Sequence, residues 1–409
     1  FMNSNVFHDQ LLPLMQGIKV LSLSRSNIQK TTLATAVEAA WSRAVASAEA
    51  AGISRQAAAE KQASSALWAA PPSVELSHRN DRLQSNNGAR ETEVALAVPL
   101  WLPGQKSAKQ QAADSLSSLS QLSETEGKLR VAEVVRELHW QIAELQASQS
   151  LSKQQTSTFA AIASDVDKRV KAGDLARADA LAAKGELLSA QATQSQAETQ
   201  LEAAKRQWTA LTGLAQTPDA TFASAESQSP RQLAEHPELL RAEQQVDLAR
   251  KRLDLVAKSN RSAPELITKF RQDIPGHGQG SAYSLGLAVR IPFGTDDRNA
   301  PLQAAALTEL DIAQRKEQVL RAQLSARMES AKAAAAASQL QLQTEREKAS
   351  LLNERAKLIR ASFNAGETSL PELLRAAIAA AQADYSAARQ EAAFGLARAR
   401  LQQAYGQLP

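Results

Sequence analysis

The sequence predicts a mainly α-helical chain with a membrane β-barrel portion: long helical hairpins built twice, plus four strands. Three observations predict this. The stretch Arg169-Val170-Lys171-Ala172-Gly173-Asp174 returns 193 residues later as Ser362-Phe363-Asn364-Ala365-Gly366-Glu367. At the same offset Asp179 falls on Glu372, Leu181 on Leu374, Trp208 on Leu401 and Gly213 on Gly406, so one structural unit is built twice. From about 107 to 168 there is no Pro and only one Gly, Gly127. A helix of about 62 residues is roughly 90 Å long, wider than any globular core. Finally, four short segments alternate apolar with small or polar residues at period two.

Composition fits long helices packed through small side chains. Aromatics make up 4% of the 409 residues, and 16 Gly and 14 Pro are few for that length. The 47 basic and 43 acidic residues leave a net charge of +4 with both signs interspersed. Without a dense Lys/Arg patch, the basic balance does not point to nucleic acid. The chain has no cysteine, which excludes disulfides, thiolate metal sites, cysteine nucleophiles and lipid attachment through a Cys of this chain. No apolar run is long enough for a transmembrane helix. Phe1 before Met2 is not expected of a natural translation start. Leu11–Leu23 is mildly apolar, but it holds Lys19 and lacks a small-residue cleavage site, so it reads as a poorly ordered arm rather than a leader remnant.

In chain order, a helix is expected from Thr31 to about Trp68, with Leu33, Val37, Ala40, Trp41 and Ala44 on one stripe and Pro71-Pro72 as its stop. Ser73–Ser77 and Val94–Leu100 follow as a strand pair over about 73–100, joined by a polar loop. After the turn Pro99–Gly104 comes the first long helix, striped by Val131, Val135, Leu138, Ile142 and Leu145. The first hinge, at 172–174, sends a helix from about Leu175 to Leu211 back antiparallel, with Gly213 as its C-cap. A helix over Pro237–Lys258 opens the second half. The second strand pair, about 263–291, comprises Ala263–Arg271 and Tyr283–Ile291, with Asp273–Gly280 as a loop. A long helix from about Ala300 to Phe363, the hinge at 365–367 and a helix over about 370–403 complete it. The expected organisation is an N-terminal arm (1–30), a first repeat (31–213), a connector (214–235), a second repeat (236–406) and a C-terminal end (407–409).

The strands decide the class. Each is about nine residues long and alternates, which suits a tilted membrane-spanning strand. Four strands cannot close a lumen-bearing barrel, and open edges are not tolerated in lipid. Several copies must therefore share one barrel, with the helices forming a coaxial tube. Strand parity puts Glu75, Lys269 and Arg290 on the lumen side, where the bland reading is simple solvation.

From about Thr31 to Gly406 the chain resembles the TolC-type outer-membrane efflux family. The resemblance rests on the doubled unit, the two strand-to-helix turns, the doubled hinge and the run Ala365-Gly366-Glu367-Thr368-Ser369-Leu370-Pro371-Glu372-Leu373-Leu374. It implies a homotrimer with a twelve-stranded barrel in the outer membrane of a Gram-negative bacterium and a twelve-helix tunnel across the periplasm. It implies passive export of solutes delivered by an inner-membrane pump and a periplasmic adaptor (membrane-fusion) protein. The turn Pro99–Gln105 and the short chain resemble the heavy-metal cation subgroup, which implies an RND-type pump; drug efflux and type I secretion use the same architecture. The hinge residues Ala172, Gly173, Asp174, Ala365, Gly366 and Glu367 become the expected closing end and adaptor dock.

In the family a carboxylate six residues after the second hinge glycine lines the tunnel in a ring. Glu372 holds that position and Asp179 is its repeat mate, which implies cation preference at the closed end. The family's further carboxylate is replaced by Arg375, so no double acidic ring is expected. The bland role for Glu372 is a Ser-x-x-Glu capping box with Ser369. His8, His78, His139, His236 and His277 are scattered without metal-ligand spacing, so no metal or cofactor is expected. No nucleophile motif or Walker-type loop is present, and an enzyme is not expected. The competing class is a periplasmic coiled-coil adaptor or scaffold without a pore. A cytoplasmic Ala-rich coiled coil would leave the strands unexplained.

Overall fold

A computed structural model of the chain describes residues 31–218, 232–276, 278–293 and 296–409. The expected arm over 1–30 with Leu11–Leu23 and His8, most of the connector, and His277 lie outside the described residues. The elements are α1 (Leu33–Arg43), α2 (Val45–Ser64), β1 (Ser73–Asn80), β2 (Arg90–Pro99), α3 (Gln105–Ala172), α4 (Arg177–Thr212), α5 (Pro237–Lys258), β3 (Glu265–Ile274), β4 (Ala282–Arg290), α6 (Asp296–Asn364) and α7 (Leu370–Ala404). The α3 helix has 68 residues and α6 has 69, so each is about 100 Å long.

The single helix expected over Thr31–Trp68 is instead two. Ala44 is extended at φ −74° and ψ 143°, and α1 leans its Leu33, Val37 and Trp41 stripe onto the buried face of α3 and α4. Gly127 admits this approach: a Cβ there would lie 2.9 Å from the Trp41 ring. The second piece stops at Ser64, where the Ser64 and Ser65 hydroxyls donate to the carbonyls of Lys61 and Gln62. Trp101 Nε1 then holds the following segment through the Leu67 carbonyl at 3.1 Å.

The strands form one antiparallel sheet in the order β1-β2-β3-β4. The two halves of the chain meet in it through β2 and β3, with Ala95 opposite Lys269. Asp273 and Ile274, expected in a loop, belong to β3 because Glu91 and Arg90 of β2 pair with them. No further strand covers β1 or β4 among the described residues.

The helices pack as coiled coils. On α4, Ala183, Ala190, Ala197 and Ala204 are buried one heptad apart, with Leu201 and Trp208 completing the seam. In the hinge half, α4 packs on α3, α3 on α7 and α7 on α6. Their core there is Phe159, Ile162, Val166, Ala183, Ala190, Phe363, Leu370, Leu373 and Leu374.

Candidate functional site

The register sorts the sheet into two unlike faces, because side chains directly opposite across strands point the same way. One face carries the rows Val74, Leu96, Thr268, Leu287 and Leu76, Val94, Phe270, Leu285, then Val98, Leu266, Val289. It is apolar and exposed: Leu76 is 71% exposed, Leu285 76% and Leu287 75%. A mixed row of His78, Thr92, Gln272 and Tyr283 bounds it towards the loops, with Tyr283 stacked on Phe270.

The other face is charged. Glu75 and Lys269 share a row with Ala95 and Gly286, and Arg290 faces Glu265. Lys269 Nζ lies 2.7 Å from Glu93, Arg271 lies 3.2 Å from Glu91 and Arg290 lies 2.8 Å from Glu265. Glu75 makes no ion pair among the described residues. The sequence singled out Glu75, Lys269 and Arg290, and the structure puts all three on this face. It missed the acids Glu91, Glu93 and Glu265 that partner the cations. Their signal was parity: Glu91 and Glu93 continue the alternation ahead of Val94, and Glu265 lies within the expected strand Ala263–Arg271 at the same parity as Lys269.

The loop between β1 and β2 is organised on Asp81, whose Oδ2 accepts from the Ser85 hydroxyl at 2.9 Å and the Asn87 N–H at 2.6 Å. Burial pushes this carboxyl up, but those hydrogen bonds outweigh it and hold the group below its ordinary value.

At the far end both hinges use one design. Gly173 has φ +87° and Gly366 φ +81°, in the left-handed region. The N–H of Asp174 reaches the Arg169 carbonyl at 2.9 Å, and that of Glu367 reaches Ser362 at 3.0 Å. These are matching Schellman closures. Ala172, Gly173, Asp174, Ala365, Gly366 and Glu367 are all exposed. Arg169 joins the two hinges: its guanidinium lies 4.7 Å over the Phe363 ring and donates to the Phe363 carbonyl at 3.4 Å.

The two repeat-mate carboxylates behave differently. Asp179 Oδ2 accepts from the Ala176 N–H at 3.1 Å and so restarts α4. The expected capping box of Ser369 and Glu372 is absent; the Ser369 side chain makes no cap hydrogen bond. Glu372 turns instead to α6, where Arg355 Nη2 donates to its Oε1 at 2.8 Å, and Arg375 lies 3.6 Å from its Oε2. A guanidinium 17 residues away in sequence outcompetes the local backbone for the carboxylate.

The flanks of the helical row are unfinished. On α6, Leu302, Ile312, Val319, Leu340, Leu351 and Leu358 are between 48% and 65% exposed. Leu302, Leu351 and Leu358 share one heptad position, and Ile312, Val319 and Leu340 share another three residues on. That is the a/d spacing of a coiled-coil seam. The buried Leu310, Leu324, Leu342 and Phe363 lie on roughly the opposite side of the helix. On α4, Leu181 and Leu188 are exposed one heptad apart.

Among the described residues, no helix is long and apolar enough to cross a membrane, and no group of three or more His, Cys, Asp or Glu could hold a metal.

No family model and no curated protein matches the sequence. Solved structures do match the fold. The outer membrane protein VceC of Vibrio cholerae is 14% identical, with 92% of this chain and 96% of that chain covered and a TM-score of 0.73. CusC, described for the changes that accompany folding and transmembrane channel formation, is 14% identical, with 92% of each chain covered and a TM-score of 0.74. The outer membrane channel MtrE of Neisseria gonorrhoeae, solved in its open state, is 14% identical, with 92% of this chain and 89% of that chain covered and a TM-score of 0.70. This chain has the fold of the TolC-type outer-membrane channels. In that fold the two-faced sheet and the hinge end stand at opposite ends of the long helices, joined by α3 and α6.

Proposed function

We propose that the chain is the outer-membrane exit duct of a tripartite efflux system in a Gram-negative bacterium. The observation that carries this is the sheet: one exposed apolar face, one charged face and two unpaired edges. In water the apolar face would be an aggregation surface; against lipid it is a solvated one. The edges then demand further strands, since unpaired backbone in a bilayer costs several kcal/mol per group. Three copies give twelve strands in a closed barrel. The same three copies bring the exposed seams of α4 and α6 together in a twelve-helix tunnel. Glu75, Lys269 and Arg290 then line the lumen, with Glu372, Asp179 and Arg375 at the tunnel's closed end. The hinge tips Ala172–Asp174 and Ala365–Glu367 meet a periplasmic adaptor, and an inner-membrane pump supplies the solute. A pore-less adaptor or scaffold would share the helical hairpins but leave the apolar sheet face without an occupant.

Cargo is a property of the pump in this reading. Heavy-metal cation efflux by an RND-type pump is the proposed cargo class, supported by the turn Pro99–Gln105; drug efflux and type I secretion are its rivals. Two experiments test the proposal. The protein should stay in the outer-membrane fraction after carbonate washing and leave it only with detergent, as a cross-linkable trimer. Release by carbonate alone would overturn the barrel. A deletion strain sensitised to zinc, cobalt or cadmium but not to drugs would support the metal cargo, and the reverse pattern would overturn it.

A further inference from the structure

We propose that Arg90, with the polar row beneath it, binds the phosphorylated sugar headgroup of an outer-leaflet glycolipid of the lipid A type. This rests on the duct reading, in which the apolar sheet face meets lipid. Of the Asp, Glu, Lys and Arg residues in the four strands, Arg90 alone stands on that face; all the others have the opposite parity. A cation facing lipid is costly at the bilayer mid-plane and nearly free at its boundary. Arg90 therefore belongs at a boundary.

The length of the face puts it there. Ile291, exposed one residue past β4, ends the apolar face towards the helices. Ser281, ten residues earlier, continues the register beside Ile274, which pairs with Arg90. Ten residues span about 34 Å along a strand, or about 26 Å across a bilayer at a tilt of about 40°. The apolar band of an outer-membrane barrel is about 25 Å tall. With Ile291 and the exposed Phe293 at one boundary, Arg90 reaches the other, on the side away from the hinges.

The surroundings suit a phosphorylated sugar. One step below Arg90, His78 Nδ1 and Thr92 Oγ1 are 3.0 Å apart, and Gln272 Nε2 donates to the Tyr283 hydroxyl at 3.2 Å. These groups offer hydrogen bonds to sugar hydroxyls and to amide-linked acyl chains. Arg82 is exposed in the adjoining loop, and its backbone N–H donates to Asn80 Oδ1 at 3.3 Å; Asn80 is opposite Arg90. Two guanidiniums at one rim match the oxygens of a phosphate.

Nearby acids do not cancel them. Glu91 and Asp273 face the other way, and Arg271 holds both, at 3.2 and 3.3 Å. Asp81 Oδ2 is taken up inside the loop by Ser85 and Asn87. Neither Arg82 nor Arg90 forms an ion pair among the described residues.

The test is native mass spectrometry of the detergent-solubilised full-length protein, titrated with bisphosphorylated lipid A and, separately, with phosphatidylglycerol. The wild type is expected to retain lipid A in preference to phosphatidylglycerol. Arg90→Gln should weaken lipid A binding about tenfold, the loss of one charge-assisted contact. Arg90 is exposed, and the oligomer mass in the same spectra reports whether the variant still folds. Arg79→Gln, at the same end of the sheet but on the opposite face, should bind lipid A as the wild type does. Unchanged binding in Arg90→Gln, equal loss in Arg79→Gln, or equal retention of phosphatidylglycerol by the wild type overturns the inference while leaving the duct intact. A protein that carbonate alone releases from the membrane overturns the duct reading, and this inference with it.

Discussion

Gly395 on α7 sits against the Trp140 ring on α3, and the contact leaves no space for a side chain. A Cβ at this position would lie 2.1 Å from Cζ3 and 2.2 Å from Cη2 of Trp140. Ordinary carbon–carbon contacts need about 3.5–4.0 Å, so Gly395→Ala requires a retreat of roughly 1.5 Å. The indole has little freedom to make it: Trp140 is 7% exposed and packs edge-on against His139, which is itself buried. The helices must part instead. Overpacking of this kind costs about 1–3 kcal/mol, and a backbone shift between two long helices puts Gly395→Ala at the top of that range, about a hundredfold in the folding equilibrium. The assay is guanidinium unfolding of the detergent-solubilised full chain, followed by circular dichroism at fixed protein concentration. Gly366→Ala is the comparison. Nothing lies within 4 Å of a Cβ there, so it carries only the left-handed backbone penalty of about 1–2 kcal/mol. Trimming the ring with Trp140→Leu should restore much of the loss, as a favourable coupling in a double-mutant cycle. Unfolding of Gly395→Ala at the wild-type midpoint, greater damage from Gly366→Ala, or no rescue by Trp140→Leu would refute the clash.

Three further outcomes follow from the described contacts. Asp179→Ala removes the carboxylate that accepts from the Ala176 N–H and should cost about 1 kcal/mol at the start of α4. Amide exchange over 175–180 should quicken, while Glu372→Ala, which removes no cap, leaves exchange over 370–375 near wild type; equal effects would contradict the assignment. The lowered pKa of Asp81 means that its tie to Ser85 and Asn87 is intact above the ordinary carboxyl value of 3.8 and is lost as pH falls through the lower folded value. Exchange at the Asn87 amide should therefore stay slow down to about pH 4 and rise below it, whereas Asp81→Asn should lose most of the pH dependence; a wild type that opens near neutrality would refute this. Burial pushes the Glu238 carboxyl up, and the nearby Glu126 and Glu133 add to that against the pull of Arg327. Its contribution is then fully present below the ordinary value of 4.5 and lost as pH rises through the raised folded value. Glu238→Gln should melt at or above the wild-type temperature at pH 7 and flatten the gain on acidification; a clear loss of stability at pH 7 would show that the pair with Arg327 dominates.

What the sequence disclosed was whatever repeats or alternates. The hinges were visible because a helix reversal needs a glycine at positive φ and the chain spells that reversal twice. The strands were visible because parity separates Leu285 and Leu287 from Ser284 and Gly286 without knowledge of any partner. What stayed hidden depends on contacts between distant residues. Ala44 breaks a helix only because α1 must lay Trp41 on Gly127. Asp273 and Ile274 become strand only because Arg90 and Glu91 lie beside them. The local pattern Ser369-Leu370-Pro371-Glu372 spells a helix cap, yet Arg355 draws the glutamate away. Gly395 looked like any helical glycine until Trp140, 255 residues earlier, was placed against it.

The length of α3 and α6 has a mechanical consequence. A rod of about 100 Å is a long lever: a tilt of about 1° where it leaves the sheet moves its hinge end by nearly 2 Å, more than enough to break a hydrogen bond there. The aim of the hinges is therefore governed by the shims along the shaft. Ala183, Ala190, Ala197 and Ala204 are those shims, since one methyl group at each step sets the spacing of α4 from its neighbour. A bulkier side chain at any of them would act as a wedge whose displacement grows with distance along the helix.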